Sequence, residues 1–384
     1  MKTLTNPRIY PEASNKNTWA RRWFGCSSPV LFLYAALCVT LAMMAYLRPL
    51  PTFDRYMYAG AVASLRYSDP VTIHRIARAE FVAQPDPFQF ENVATEPYFA
   101  DVYNNADHYV QQLAFYRVKF GYIAIGYAMW CSGLPVLAGL RLVSAFCFAA
   151  LGLVVLAWTH KAALSAILLL TPPVLDLGRF VTPDALSTVI IVSAMLLFTR
   201  KKYLPAVCLL VFSLLIRFDG FVFVLILLIW MVWQRRISFS LGAVFGALVV
   251  AESVLMNRIA AYYGWRVLMQ HSFIKPEIEP AIHPVGISLA GYLHAIVGLR
   301  VIPYTFMTMF VLMAAIAWKR LPSKSALHHL LLVAGISILA RLVIFPNVED
   351  RYFAWAYLLA AVALIQTVHF PNLDSAEDAS DRDL

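Results

Sequence analysis

Repeated apolar runs of about 17 to 22 residues, separated by short basic turns, are the feature that most constrains the fold of this chain. A run of that length can cross the hydrocarbon core of a bilayer as a helix, with its backbone hydrogen bonds satisfied internally. The composition agrees, because only 14% of the 384 residues are charged and 61% are hydrophobic. A soluble domain of this size carries more charge on its surface. We therefore predict an all-α polytopic membrane protein.

The apolar runs predict about ten transmembrane helices. They lie at about 29–47, 136–158, 162–178, 183–199, 203–216, 220–234, 237–256, 301–318, 326–345 and 352–370. A further apolar stretch, 119–134, is short and rich in Gly, Tyr and Trp. Aromatic residues favour the headgroup level of a bilayer. We expect this stretch to be an amphipathic juxtamembrane helix within the first outer loop.

The distribution of basic residues predicts the topology. With the N-terminus in the cytoplasm and 119–134 at the membrane surface, four basic turns fall on the cytoplasmic side: 159–161, 199–202, 233–236 and 318–324. Both termini are then cytoplasmic, and the long outer loops are 48–118 and 257–300. The basic segment before the first span has no small-residue cleavage site after it, so we expect an uncleaved signal anchor.

Three regions follow from this topology. A cytoplasmic segment, 1–28, precedes a transmembrane domain, 29–370, and an acidic tail, 371–384, has a composition typical of disorder. The net charge of +9 is explained by the cytoplasmic turns, so we expect membrane lipids as partners and no nucleic acid. We expect a bacterial inner membrane, because the chain is short and carries no glycosylation sequon or retrieval signal.

The first outer loop contains a helix signal. In SDPVTIHRIARAEF, Asp69 is placed to cap the helix and Pro70 to occupy its first position. An irregular stretch with Pro and Asn, 83–107, is predicted to follow. At the start of the fourth span, FVTPDALS predicts Thr182 as the cap and Pro183 as the first helical residue.

Eight acidic residues fall at or beyond the outer membrane face, together with several arginines and tyrosines: Asp54, Asp184, Asp219, Glu252, Glu277, Glu279, Glu349 and Asp350. Polar groups so close to hydrocarbon commonly mark a functional site. Asp54 opens the first outer loop, where it is either a general base or a solvated loop residue; burial would raise its pKa and adjacent Arg55 would lower it. Asp184 is either a second functional carboxylate or an ordinary first-turn helix residue.

The remaining candidates are cations and a turn. Arg217 and Asp219 lie in IRFDGF between two spans, and Arg351 precedes the last span; each is a substrate ligand or a structural residue. Arg141 and Arg341 are either functional residues or residues whose side chains extend to the membrane interface, where their charge is solvated.

Arg117 and Lys119 sit where the first outer loop returns to the membrane, so each contacts either lipid headgroups or a substrate phosphate. No metal-ligand spacing, phosphate-binding Gly loop or nucleophile elbow is present, although a divalent cation is compatible with the site.

In their order along the chain, these features resemble the GT-C superfamily of integral-membrane glycosyltransferases, which includes aminoarabinose transferases and protein O-mannosyltransferases. Asp54 followed by Tyr58 is similar to the aspartate motif of the first outer loop, and Asp184 in TPDALS to that of the second. FYRVKFGYIAIGY resembles the juxtamembrane segment with its phosphate-binding lysine; Lys119 is the nearest match and Arg117 its rival. The other matches are Arg141 in GLRLVSAF, Arg217 and Asp219 in IRFDGF, and Arg351 and Tyr352 in DRYFAWAYLL.

The resemblance implies a GT-C-like fold and transfer of a sugar from a polyprenyl-phosphate donor, with inversion, to an acceptor hydroxyl on the outer face. It implies Asp54 as base, with Asp184 as its partner, and Lys119, Arg217 and Arg351 as ligands of the leaving phosphate. Neither the sugar nor the acceptor follows from the sequence.

Two other functions remain open. The first is a transporter or flippase for lipid-linked sugars, which needs a polar path to both membrane faces. The second is a polysaccharide polymerase or ligase that uses arginines of the outer loop, for which Arg55, Arg66, Arg75 and Arg78 are available.

Overall fold

The computed structural model describes residues 18–83, 96–297, 305–347 and 349–368, and these residues form helices and connecting turns without a β-strand. The α-helices of this part, numbered along the chain, are α1 Thr18–Phe24, α2 Ser28–Leu47, α3 Asp54–Ala63, α4 Pro70–Val82, α5 Pro97–Asn104, α6 Ala106–Gln112, α7 Ala114–Arg117, α8 Phe120–Cys131, α9 Val136–Thr159, α10 Ala162–Leu169, α11 Pro172–Arg179, α12 Asp184–Thr199, α13 Tyr203–Ile216, α14 Phe221–Trp233, α15 Phe239–Ala260, α16 Trp265–Phe273, α17 Leu289–Val297, α18 Thr305–Arg320, α19 Ala326–Ile344 and α20 Ala354–Thr367. Short 3₁₀ helices occupy Phe218–Gly220 and Asp350–Phe353. The prediction of an all-α chain is confirmed. The tail 371–384 and most of the segment 1–28 lie outside the described residues.

Several of these helices are typical of a membrane protein. In the described part, α2, α9, α15 and α19 are long and apolar enough to cross a bilayer, and the bent pair α10–α11 counts as a fifth span if taken together. α8, α12 and α13 are apolar but shorter, as is the stretch Phe218–Trp233. Many large apolar side chains on α2 and α15 are exposed, which is the pattern of a surface that faces lipid.

The segment 162–178, predicted as one span, is divided between two helices. Two helices, α10 and α11, meet there at an angle of 64°. The break coincides with Pro172 and Pro173 at the start of α11. Proline has no N–H for the helical ladder, and its ring clashes with the preceding turn, so the chain bends at this point.

The core is centred on α9, whose residues are mostly buried. α9 packs against α2 and α12, and α12 packs in turn against α13. The contact with α2 is close: a Cβ on Gly152 would lie 2.5 Å from Cys38 Sγ, and Tyr34 donates to the Gly152 carbonyl at 2.9 Å. Glycine is needed here because a side chain would push the two helices apart.

The segment predicted as the first outer loop, 48–118, is built from short helices where the structure describes it. Asp69 caps α4 as predicted, accepting a hydrogen bond from Thr72 N at 2.8 Å. The predicted irregular stretch 83–107 is wrong in its second half, because α5 and the start of α6 lie there; residues 84–95 are outside the described residues. Asn105 caps α6 through its side chain and so divides the two helices.

The segment predicted as the second outer loop, 257–300, packs onto the first. Gln112 of α6 donates to the carbonyls of Glu277 and Ile278 at 3.0 and 2.8 Å. His108 contacts Asp101 at 2.6 Å and Glu279 at 3.1 Å, so its ring joins the two loops.

Candidate active site

Six charged side chains from distant parts of the sequence form one connected network of ion pairs. Asp54 begins α3, Asp184 begins α12, and Arg217 and Asp219 flank the start of the 3₁₀ turn between α13 and α14. Arg341 lies near the end of α19, and Arg351 lies in the 3₁₀ helix before α20. Each residue sits at or next to a helix end, so five separate ends meet at this point. We call these six residues the charged cluster.

Asp54 is bound from two sides. Arg351 donates to Oδ2 at 2.8 Å, and the Tyr116 hydroxyl donates to Oδ1 at 3.1 Å. Burial disfavours the charged carboxylate, but the Arg351 guanidinium outweighs it and lowers the pKa of Asp54, with Lys119 and Tyr116 helping. The cation responsible is Arg351, from near the other end of the chain, and not adjacent Arg55 as the sequence suggested. Asp54 is therefore an ionised carboxylate.

Asp184 is the most buried carboxylate of the cluster, with a side chain 1% exposed. Arg217 donates to its Oδ1, and the Thr182 hydroxyl donates to its Oδ2 at 2.5 Å. The predicted capping by Thr182 is wrong, because α12 begins at Asp184 and Pro183 is its cap residue. The Thr182 hydroxyl donates to the Asp184 carboxylate instead. A buried carboxylate needs such partners to remain charged.

Asp219 joins two guanidinium groups. It accepts from Arg217 at 2.9 and 2.7 Å in a two-bond fork and from Arg341 at 3.0 Å. Burial opposes its charge, but Arg217 and Arg341 outweigh burial and lower its pKa. Arg341, which was a candidate for snorkelling to the interface, instead points its guanidinium into the cluster.

Arg351 connects the two halves of the cluster. Besides its bond to Asp54, its Nε lies 2.6 Å from Glu349 and 3.9 Å from Asp184. The Tyr352 ring lies beneath three guanidinium groups, with centroid distances of 4.4 Å to Arg217, 5.1 Å to Arg341 and 5.2 Å to Arg351. An electron-rich ring face stabilises cations brought this close together.

Lys119 is a cation of this region without a carboxylate within ion-pair distance in the described part of the chain. Its Nζ donates to the Phe115 carbonyl at 3.0 Å and lies 4.9 Å from the Tyr116 ring and 5.8 Å from the Tyr58 ring. Burial, with Arg217 nearby, lowers the pKa of Lys119 to about 8. The positive charge of Lys119 is therefore not neutralised by a carboxylate, and its ammonium can bind an anion.

The space inside the cluster is small. Its lining includes Asp184, Ser187, Thr188, Arg217, Asp219, Arg341, Arg351, Tyr352 and Trp355, and about 20 Å³ is open to water. That volume holds about one water molecule. A phosphate-sized ligand would therefore have to displace an existing ion pair to enter.

The cluster and its surroundings include eight of the ten residues predicted from the sequence: Asp54, Tyr58, Lys119, Asp184, Arg217, Asp219, Arg351 and Tyr352. Two lie elsewhere. Arg117 donates to Ser64 Oγ at 3.0 Å, and Arg141 lies 5.3 Å from the Tyr46 ring.

Sequence reasoning missed Tyr116 entirely. Its hydroxyl reaches Asp54 from the third residue of the short helix α7, and a tyrosine at a membrane surface carries no distinguishing pattern in sequence. In the described residues, no group of three His, Cys, Asp or Glu side chains is arranged to hold a metal. The carboxylates of the cluster are instead matched to arginines.

No protein-family model matches this chain, and no curated protein or solved structure is significantly similar to it. The geometry of the charged cluster therefore carries the functional inference. Buried acids and bases held at helix ends beside an apolar helical bundle can exchange protons and bind anions at a membrane boundary.

Proposed function

We propose that the protein is a GT-C-type membrane glycosyltransferase that moves a sugar from a polyprenyl-phosphate donor to an acceptor hydroxyl. The ion pair between Asp54 and Arg351, at 2.8 Å with Lys119 nearby, is the observation that carries the proposal. It puts a carboxylate able to take a proton next to cations able to hold a phosphate. Transfer from a phosphate-linked sugar needs both at once.

The proposed reaction begins when the donor phosphate contacts Lys119 and draws Arg351 away from Asp54. Arg351 can exchange one oxyanion for another at little cost, because its planar fork fits phosphate as well as carboxylate. Removing the guanidinium frees Oδ2 of Asp54 to accept a hydrogen bond from the acceptor hydroxyl. Asp184 holds Arg217 in place throughout.

In the bond-changing step, the acceptor oxygen attacks the anomeric carbon as its proton passes to Asp54. The bond from the anomeric carbon to the phosphate oxygen breaks, and the polyprenyl phosphate leaves with the electron pair. Lys119 and Arg351 stabilise the charge that grows on that oxygen. A single displacement of this kind inverts the configuration at the anomeric carbon. A divalent cation is not required by these steps.

The proposed setting is a bacterial inner membrane crossed by ten helices, with both termini in the cytoplasm and the charged cluster at the periplasmic face. The cluster lies at the ends of apolar helices, which supports this setting. A donor's lipid tail could then remain in hydrocarbon while its phosphate meets the cations. The acceptor is a glycan, lipid or protein of the cell envelope.

Asp54→Asn tests the proposal directly. Full-length protein in liposomes, given radiolabelled polyprenyl-phosphate sugars and envelope acceptors, should transfer sugar, and the variant should lose about 10²- to 10⁴-fold in rate because an amide cannot take the proton. Asp69→Asn, a carboxylate-to-amide change at an exposed helix cap in the same loop, is the matched control and should stay active. Full transfer by Asp54→Asn would contradict the proposal, as would sugar that crosses the bilayer without being transferred.

A further inference from the structure

A second cavity lies beside the first outer loop and shares no lining residue with the cavity of the charged cluster. It offers about 360 Å³ of water-accessible space. Its lining residues are Ser64, Leu65, Tyr67, Ser68, Ile73, Val110, Arg117, Phe120, Ile123 and Ile259. A volume of this size accommodates a small organic ligand or a lipid headgroup.

Arg117 is the charged residue of this lining. Its Nε donates to Ser64 Oγ at 3.0 Å, while the Ser64 hydroxyl donates onward to the Ala61 carbonyl at 2.8 Å. Ser64 is thereby fixed as an acceptor and holds the guanidinium in one orientation. The terminal nitrogens of Arg117 have no hydrogen-bond acceptor and no carboxylate partner among the described residues. The lining contains no acidic side chain.

An oriented arginine without a counter-ion in a half-buried position needs an anion. Burial lowers the pKa of Arg117, yet a guanidinium stays protonated in proteins, so the charge remains. Arg66 adds to the positive field, because its guanidinium lies 5.6 Å from the ring of the lining residue Tyr67. The Ser68 and Tyr67 side chains offer hydroxyl donors at the same cavity.

The rest of the lining is apolar and continuous with the membrane helices. Phe120 and Ile123 belong to the apolar helix α8, and Ile259 lies near the end of α15, a helix long enough to span a bilayer. Ile259 is also substantially exposed beyond the cavity. A ligand with an anionic head and an apolar tail could thus leave the cavity along a lipid-facing surface.

We infer that this cavity binds the phosphate headgroup of an anionic lipid, with Arg117 as its principal ligand. A guanidinium whose two terminal nitrogens are free can form a pair of hydrogen bonds to phosphate oxygens through them, and such paired bonds are among the stronger polar contacts in proteins. The apolar lining distinguishes a lipid from free phosphate, which has no tail to bury. This site is independent of the proposed sugar transfer.

The test is native mass spectrometry of the full-length protein with phosphatidylglycerol and with phosphatidylcholine of the same acyl chains. The wild type should bind phosphatidylglycerol more tightly than the zwitterionic lipid. Arg117→Gln should weaken phosphatidylglycerol binding by at least about tenfold, the loss expected for one charge-assisted contact. Arg141→Gln, which removes a half-buried arginine outside both cavities, is the matched control and should bind normally.

Three results would overturn the inference. The first is unchanged phosphatidylglycerol binding by Arg117→Gln. The second is a loss in Lys119→Gln alone, which would place the lipid beside Lys119 and not in this cavity. The third is inorganic phosphate binding as tightly as the lipid, which would remove the role of the tail. If Arg117→Gln does not fold, Ser68→Phe fills the cavity from an exposed position and must cause the same loss.

Discussion

At the scale of single residues, the charged cluster shows that a sequence can identify candidate polar residues without showing which of them form ion pairs. The sequence identified Asp54, Arg217 and Arg351 as polar residues next to apolar runs. It could not show that Arg351 pairs with Asp54, because 297 positions separate them and an ion pair has no sequence signature. It favoured Arg55 as the partner only because Arg55 is adjacent.

Lys119 provides a pH test at this scale. Its pKa is lowered to about 8, so the ammonium is charged below that value and loses its proton as pH rises through it. If the ammonium holds the donor phosphate, KM for the donor should rise up to tenfold per pH unit above about pH 8, with the limit set by simple titration. Initial-rate measurements between about pH 7 and 9.5 check this.

Lys119→Arg is the matched variant for that experiment, because arginine does not titrate in this range. It should keep donor binding and lose the dependence on pH. A wild-type donor KM that stays flat across the range would remove Lys119 as a phosphate ligand.

At the scale of elements, helix positions followed from the lengths of the apolar runs and from local cap residues, whereas breaks and contacts did not. The bounds of α13 and the capping of α4 by Asp69 match the predictions, since both depend on local signals. The bend at Pro172 and the helix α5 within the supposed irregular stretch were missed. The bend was missed because the whole segment 162–178 was treated as one apolar run. The helix α5 was missed because it has only eight residues and follows a stretch with Pro and Asn.

The junction between the two outer loops should depend on pH through His108. Burial disfavours the charged ring, but Asp101 and Glu279 outweigh it, so the pKa of His108 lies above its ordinary value of 6.5. The junction should be fully formed below that ordinary value and should loosen as pH rises through the raised pKa. His271, in the second outer loop, has its pKa lowered to about 4 by burial and stays neutral throughout this range.

Hydrogen exchange of residues 275–283, corrected for intrinsic rates, measures this junction. Protection should fall between about pH 6 and pH 9 in the wild type. His108→Gln should show weaker protection with no such change. Equal protection of the wild type at both pH values would contradict the role given to His108.

At the scale of the whole molecule, the sequence predicted the class of protein and left its membrane topology as an expectation. An all-helical chain with several long apolar helices is what the described residues contain. Ten spans require the bent pair α10–α11 to count as one. They also require five helices with fewer than 18 described residues to cross, namely α12, α13, α14, α18 and α20, so the number of spans depends on how the bilayer meets them.

Topology can be measured by cysteine labelling in a variant that lacks the five native cysteines. Ser68→Cys in the first outer loop should react with a membrane-impermeant maleimide in intact cells. Ser323→Cys, an exposed position in the basic turn 318–324, should react only after the membrane is opened. The reverse pattern would put the charged cluster on the cytoplasmic side and contradict the proposed setting.

The most direct test of the central claim is a structure of the protein determined by cryo-electron microscopy with polyprenyl phosphate bound. The account predicts the phosphate within hydrogen-bond distance of Lys119 and Arg351, with the Arg351 guanidinium drawn away from Asp54. A phosphate bound elsewhere, with the 2.8 Å ion pair between Arg351 and Asp54 intact, would contradict it.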